Sequence, residues 1–334
     1  MILNGERLYD EVVQCNGLLI VGDPHVSSRR PGRRNDKDWP TPILDKLEFC
    51  ARLSRERELA TIFLGDLFDT AVEEDESLKT RLVRILKDFH MVVVSNTGNH
   101  DIRNTALTDG DTLAMLAASD VLDVVASSGP VMEIAVGGKR LGIGMTPYGQ
   151  DIPRSVAGLF PQADAVAWFT HHDIAFGKAY PGAVQPFEIE GCGLVVNGHV
   201  HDAKDNRKVG RTLWSNPGNI NRQTIDLMNQ KPTVWVLHGN GSMEPIELPH
   251  RSNVFDLTGT LVEAVEAKDL PQDVDSAFVA LLEAETAMEM EASTDGSLLL
   301  KEIENKFERD KTAPQVRSVV VELLKAAVER RNTA

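Results

Sequence analysis

The 334 residues allow a large buried core, as one large domain with an appendage or as two ordinary ones. With 42% hydrophobic and 25% charged residues the composition is that of a globular protein, and a net charge of -15 excludes a general nucleic-acid-coating or membrane-surface role, though not a nuclease, whose steering is local. Three scattered cysteines, Cys15, Cys50 and Cys192, exclude a disulfide framework and a CxxC zinc site; with no signal-peptide pattern and no bilayer-length apolar run, the expected location is the cytoplasm.

In chain order, GLLIVGD (17–23) reads as a buried strand and TPILDKLEFCARLSRERE (41–58) as an amphipathic helix with Pro42 in its first turn. ATIFLGD (60–66) is expected as strand, ESLKTRLVRILKDFH (76–90) as helix, MVVVSNTG (91–98) as strand and LTDGDTLAMLAAS (107–119) as a short helix. The order is βαβαβ, with crossovers long enough for parallel strands. The segment 130–148 alternates about a Gly-Gly turn and predicts a hairpin. Further strands are expected at 164–172, 192–199, 208–218 and 232–239, giving two sheets packed face to face with helices outside. Trp168, Trp214 and Trp235 lie on these strands and are expected to pack in the core. Beyond about residue 250 glycine nearly vanishes, and 17 acids stand against 10 bases from Arg251 on. Two helices are expected there, so the domains are taken as 1–250 and 251–334.

Metal-competent residues recur where strands stop: Asp23-x-His25, Gly65-Asp66 with Asp69, Gly98-Asn99-His100-Asp101, His171-His172 and His199-x-His201. The carboxyl ends of strands in α/β sheets share one edge, so these clusters can converge. Two borderline divalent ions need a shared carboxylate surrounded by imidazole, carboxylate and amide donors, and such a pair activates water against a phosphoester. Asp66 is the natural bridge. One ion would take Asp23, His25 and His201, and the other Asn99, His171 and His199. His100 is then available to stabilise charge on the phosphorus or protonate the leaving oxygen, oriented by Asp101 or Asp69.

GDPH, GDLFD, GNHD, THH and GHVH, in this order over roughly residues 17–240, resemble the five-block signature of the calcineurin-like metallophosphoesterase superfamily. The resemblance implies a four-layer αββα sandwich holding two metals, commonly Mn, Fe or Zn, with Mn2+ expected first and Mg2+ as a further candidate. It implies the ligands Asp23, His25, Asp66, Asn99, His171, His199 and His201, with His100 as acid. It prefers His171 over His172, although this chain has HHD where the family commonly has HHP. The blocks GDLFDT and GNHD differ from those of the superfamily's serine/threonine phosphatases. They look closest to the SbcD-type DNA repair nucleases, which implies a DNA exo- or endonuclease and an SbcC-like ATPase docking on the C-terminal helices. DPHVS and PGN depart from that branch. A small-molecule phosphodiesterase or phosphatase acting on cyclic nucleotides or similar esters is the alternative, and a metal-binding scaffold a third. A homodimer is compatible with the sequence.

The loop after His25 is basic. From Ser28 to Asp38, Arg29, Arg30, Arg33, Arg34 and Lys37 face two aspartates, and a loop leaving the site edge with this charge is expected to grip a phosphate backbone.

Overall fold

The computed structural model describes residues 1–8, 11–177 and 182–257. The chain divides into two compact units, Met1–Asp256 and Leu257–Ala334. The two expected C-terminal helices lie outside the described residues.

The strands are β1 (Ile2–Asn4), β2 (Val13–Gln14), β3 (Gly17–Val21), β4 (Leu59–Phe63), β5 (Val93–Asn96), β6 (Leu122–Ser127), β7 (Gly129–Val136), β8 (Lys139–Thr146), β9 (Ala165–His171), β10 (Leu194–Gly198), β11 (Lys204–Val209), β12 (Thr212–Asn216), β13 (Thr233–Leu237) and β14 (Met243–Glu247); the helices are α1 (Thr41–Arg57), α2 (Glu76–Leu86) and α3 (Thr112–Ala118). They form two seven-stranded mixed sheets, ordered β1-β6-β5-β4-β3-β13-β14 and β11-β12-β10-β9-β8-β7-β2. In the first, β3, β4, β5 and β6 run parallel, joined through the three helices, and β13 lies antiparallel against β3. In the second, β8, β9, β10 and β12 run parallel.

Every residue of β3, β4 and β5 is buried, as befits parallel strands covered on both faces. Strand alternation divides their side chains between two cores. Leu19 and Val21 join Ile43, Leu44 and Leu47 of α1 in the core beneath the helices. Leu18 and Ile20 join Ile143, Phe169 and Val196 in the core between the sheets. The chain is therefore the expected α/β sandwich of two sheets with helices on the first. The outer face of the second sheet, carrying Trp168, Val195 and Trp214, is covered by Val156, Phe160, Ile174, Ile189 and Cys192 from connecting segments, without a helix among the described residues. Both indoles find partners, Trp168 Nε1 donating to Thr146 Oγ1 at 2.8 Å and Trp214 Nε1 to the Phe187 carbonyl at 2.8 Å.

Helix signals matched their elements: Pro42 sits in the first turn of α1, and Asp75 caps α2 by accepting the Leu78 amide at 2.9 Å. One strand expectation changes. The segment 208–218 is half of a hairpin, β11 and β12, turning at Gly210 with φ 58°. β11 is a polar, exposed edge strand and carries no apolar alternation to betray it. Among the described residues no helix is long and apolar enough to cross a membrane.

Candidate metal centre

The five clusters meet at the carboxyl ends of five strands. Asp23 and His25 follow β3, Asp66 follows β4, and Asn99, His100 and Asp101 follow β5. From the second sheet, His171 ends β9, and His199 and His201 follow β10. The backbone there is bent into conformations that non-glycine residues seldom adopt: φ is 26° at Asp23, 47° at His25, 48° at Asp66 and 70° at His199. Such strain persists only where surrounding contacts over-determine it. Those contacts are present. His25 N donates to the Asp66 carbonyl at 2.9 Å, His199 N to Asp23 Oδ2 at 2.7 Å, and His100 N to Asp66 Oδ1 at 2.8 Å. Gly98 permits this last approach, since a Cβ on it would lie 2.1 Å from Asp66 Oδ1.

The side chains form two donor groups that share Asp66. Asp23, His25, Asp66 and His201 offer ligand atoms within 4.8 Å of one another, as do Asp66, His171 and His199. Asn99 joins the second group, its Oδ1 lying 2.9 Å from His199 Nδ1. A third grouping, His25, Asp69 and His100, abuts the first. All seven residues expected as ligands are thus brought together, in the two sets expected of them.

Several of these atoms face one another with nothing between them to compensate. His25 Nε2 and His201 Nε2 are 2.9 Å apart, although two neutral imidazoles cannot both present lone pairs at that distance. His171 Nδ1 donates to the Leu64 carbonyl at 3.0 Å, which turns the other ring nitrogen, Nε2, to Asp66 Oδ2 at 3.1 Å. Asp23 Oδ1, Asp66 Oδ2, His25 Nδ1 and His171 Nε2 are buried without a hydrogen-bond partner. A proton or a cation has to sit between such groups. Mixed imidazole, carboxylate and amide donors suit a borderline or hard divalent ion, so the residues fit two such metals.

The protonation equilibria carry the same strain. Burial would depress His171, but Asp66 and Asp23 raise it to about 9. His25 is also raised, with burial outweighed by Asp69, Asp66 and Asp23. Burial would raise Asp66, yet His171 and His25 hold it below the usual carboxylate range. Burial and the neighbouring His25 lower His201 to about 4. Burial and His171 lower His199. The metal-free centre therefore pairs His171 and His25 with buried carboxylates and keeps His199 and His201 neutral.

His171 and His172 separate cleanly. His171 points into the centre, whereas His172 Nε2 bonds the Gln150 carbonyl at 2.8 Å and its main chain is tied to Asn197. His100 Nδ1 donates to the backbone carbonyl of Asp69 at 2.8 Å, so the Asp69 main chain orients this ring. Asp101, expected to orient His100, is engaged by the main chain of both ligand loops. Its oxygens accept the amides of Phe68 at 3.1 Å and Gly98 at 2.9 Å, clamping the two ligand loops together, and burial followed by Asp66 raises it to about 7.

The arginine loop also needs correction. Arg34 is buried: Nε bonds Asp36 Oδ2 at 2.7 Å, Nη1 bonds the Arg222 carbonyl at 2.7 Å, and the guanidinium lies 5.3 Å from the Trp39 ring centre. It cannot grip an external phosphate. Arg29 and Arg30 are exposed, with Arg30 Nη1 on the Asp36 carbonyl, and Arg33 Nη1 reaches the Asp256 carbonyl at 3.5 Å.

Three parts of the site had no signal in the ligand pattern. The segment 217–222 straps the first and last ligand loops: Asn219 N donates to the His201 carbonyl at 2.9 Å, Ile220 N to Gly22 at 3.1 Å and Asn221 Nδ2 to His25 at 3.4 Å. Tyr148, on the loop after β8, sets its ring 5.4 Å from that of His199. Asp173 places Oδ1 at 3.2 Å from His199 Nε2.

No family model matches the chain, and no curated protein does. Several solved structures are similar at low identity. A novel archaeal phosphodiesterase aligns at 12% identity over 70% of this chain and 99% of its own, with a TM-score of 0.36. A 5'-nucleotidase precursor from Thermus thermophilus aligns at 14% identity over 82% of this chain and 59% of its own, with a TM-score of 0.41. A predicted phosphoesterase from Streptococcus pneumoniae gives 13%, 73%, 94% and 0.30 in the same terms.

Proposed function

We propose that the chain is a metal-dependent phosphodiester hydrolase whose substrate is DNA. The observation that carries the reading is the pair of donor groups sharing Asp66 at the joined ends of the two sheets. Asp23, His25, Asp66 and His201 would hold one divalent ion, and Asp66, Asn99, His171 and His199 the other. Manganese is the first candidate. Two such ions supply Lewis acidity toward the phosphoryl oxygens and lower the pKa of a water at the site.

The rest belongs to the chain. Two divalent charges against Asp23 and Asp66 leave the centre positive, which suits an anionic ester. Because His100 Nδ1 is committed to the Asp69 carbonyl, Nε2 is the nitrogen left to exchange a proton with a leaving oxygen. Asp101 keeps the Asn99-His100 turn in register with the Asp66 loop through its two amide contacts. Arg29 and Arg30 lie exposed on the loop that begins three residues after His25. Ser28 anchors that loop by donating to Glu73 from both N at 2.9 Å and Oγ at 2.7 Å. This is a rigid base for two cations that would meet the backbone of a polynucleotide. The burial of Arg34 thins that grip, which favours the second reading, a phosphodiesterase acting on cyclic nucleotides or similar small esters.

A metal-screened assay offering single-stranded DNA, double-stranded DNA and a cyclic nucleotide tests the choice. A DNA hydrolase cleaves a polynucleotide fastest and loses affinity steeply with salt, because phosphate contacts release counterions. Faster turnover of the cyclic nucleotide, insensitive to salt, would select the second reading.

A further inference from the structure

His199 is flanked at both ring nitrogens by side-chain oxygens. Nδ1 meets Asn99 Oδ1 at 2.9 Å, and Nε2 meets Asp173 Oδ1 at 3.2 Å. Asn99 is itself a donor of the second group, so the Asn99 side of the ring faces that group and the Asp173 side faces away. Asp173 belongs to none of the three metal-competent groupings among the described residues. Its carboxylate is 54% exposed, so it remains hydrated while touching a ring only 19% exposed.

The local chain explains why Asp173 is there. Beyond the end of β9, His171 turns inward, His172 is drawn off by Gln150 and Asn197, and Asp173 turns back toward His199. Its own backbone is fixed, since the Val184 amide donates to the Asp173 carbonyl at 2.7 Å. The rings of His171 and Tyr148, at 5.2 and 5.4 Å, limit rotation of His199 further.

A neutral imidazole carries one N–H and one lone pair, and the partner of one nitrogen decides which is which. A carboxylate that accepts the Nε2 proton leaves the lone pair on Nδ1, aimed at the second donor group. We infer that Asp173 is a positioning residue for His199, fixing the tautomer and ring orientation with which it serves the second metal position. The inference rests on the two-metal reading above. Carboxylates behind ligating histidines typically change metal affinity by about 10–100-fold.

The test is calorimetric titration of the metal-free full chain with Mn2+, comparing wild type with Asp173→Ala and Asp173→Glu. The expected result is two bound ions in the wild type. Asp173→Ala weakens one of them by about 10-fold or more and leaves the other unchanged, and Asp173→Glu restores most of the loss. In the zinc-loaded protein labelled with 15N-histidine, the slowly exchanging Nε2–H of His199 is present in the wild type and lost in Asp173→Ala. Unchanged affinity at both ions in Asp173→Ala, or a loss that Asp173→Glu does not recover, overturns the role of Asp173. A wild type that binds no ion overturns the metal reading itself, a separate result.

Discussion

Asp66 and His171 reach each other from different sheets, with Asp66 Oδ2 lying 3.1 Å from His171 Nε2 in a wholly buried contact. Neither atom has a properly aligned hydrogen bond. The pair is the seam of the site, because Asp66 belongs to both donor groups and His171 gives the second sheet its innermost donor. A contact of this kind is held by charge, and what supplies the charge depends on pH and on metal.

Without metal the charge is a proton. His171 is raised to about 9 from its ordinary value of 6.5. A group raised on folding contributes stability that is complete below its unfolded value and is lost as pH climbs through its folded value. The metal-stripped protein should therefore lose the His171 contribution between pH 6.5 and about 9, a loss absent from His171→Asn. Metal has to expel the same proton, so the rise in melting temperature on adding Mn2+ should be larger at pH 9 than at pH 6.5. Thermal melts of both proteins across this window check both signs.

A second prediction concerns the strap. A Cβ at Gly22 would lie 2.0 Å from the Gly218 carbonyl oxygen, and Gly218 itself holds φ at 75°. Neither backbone can retreat without breaking the bonds that tie residues 219–221 to the ligand loops. Gly22→Ala should cost about 2–3 kcal/mol by overpacking and weaken Mn2+ binding at the site of Asp23. Chemical denaturation and Mn2+ titration read the two effects. Wild-type values for both would mean that the strap does not hold the ligands.

The arginines divide into two classes with opposite expected phenotypes. Arg34→Ser removes the partner of the buried Asp36 and should cost about 3–5 kcal/mol of stability. The double variant Arg29→Ser, Arg30→Ser should keep wild-type stability, reduce DNA cleavage and flatten its salt dependence, and leave a small aryl diester untouched. Equal losses on both substrates would return the loop to a solvated turn.

Much of this architecture could be read from the residues. Continuous apolar runs such as Leu18–Val21 and Thr61–Leu64 announced buried parallel strands, and the polar residues that end them announced the site edge. Of the strands that escaped, β6 is buried inside the first sheet, and the others owe their place to neighbours and not to their own pattern. β11 is an exposed edge, β14 is an edge interrupted by Pro245, and β1 and β2 span three and two residues. In the site, residue type and spacing were enough to group Asp23, His25, Asp66 and His201. They could not reveal that Arg34 turns inward, because one-dimensional charge counts do not distinguish an arginine beside Trp39 and Asp36 from its exposed neighbours. Nor could they reveal Asp173, whose meaning lies in its contact with His199.

The central claim is that Asp66 joins two metal positions that hydrolyse phosphodiesters. Its most direct test is turnover of an aryl phosphodiester by metal-stripped protein before and after addition of Mn2+, in wild type and in Asp66→Asn of confirmed fold. The account predicts turnover by the wild type only after the ion is added, and turnover by Asp66→Asn no higher than that of the metal-free protein. Wild-type rates from Asp66→Asn, or full wild-type activity without any divalent ion, would contradict it.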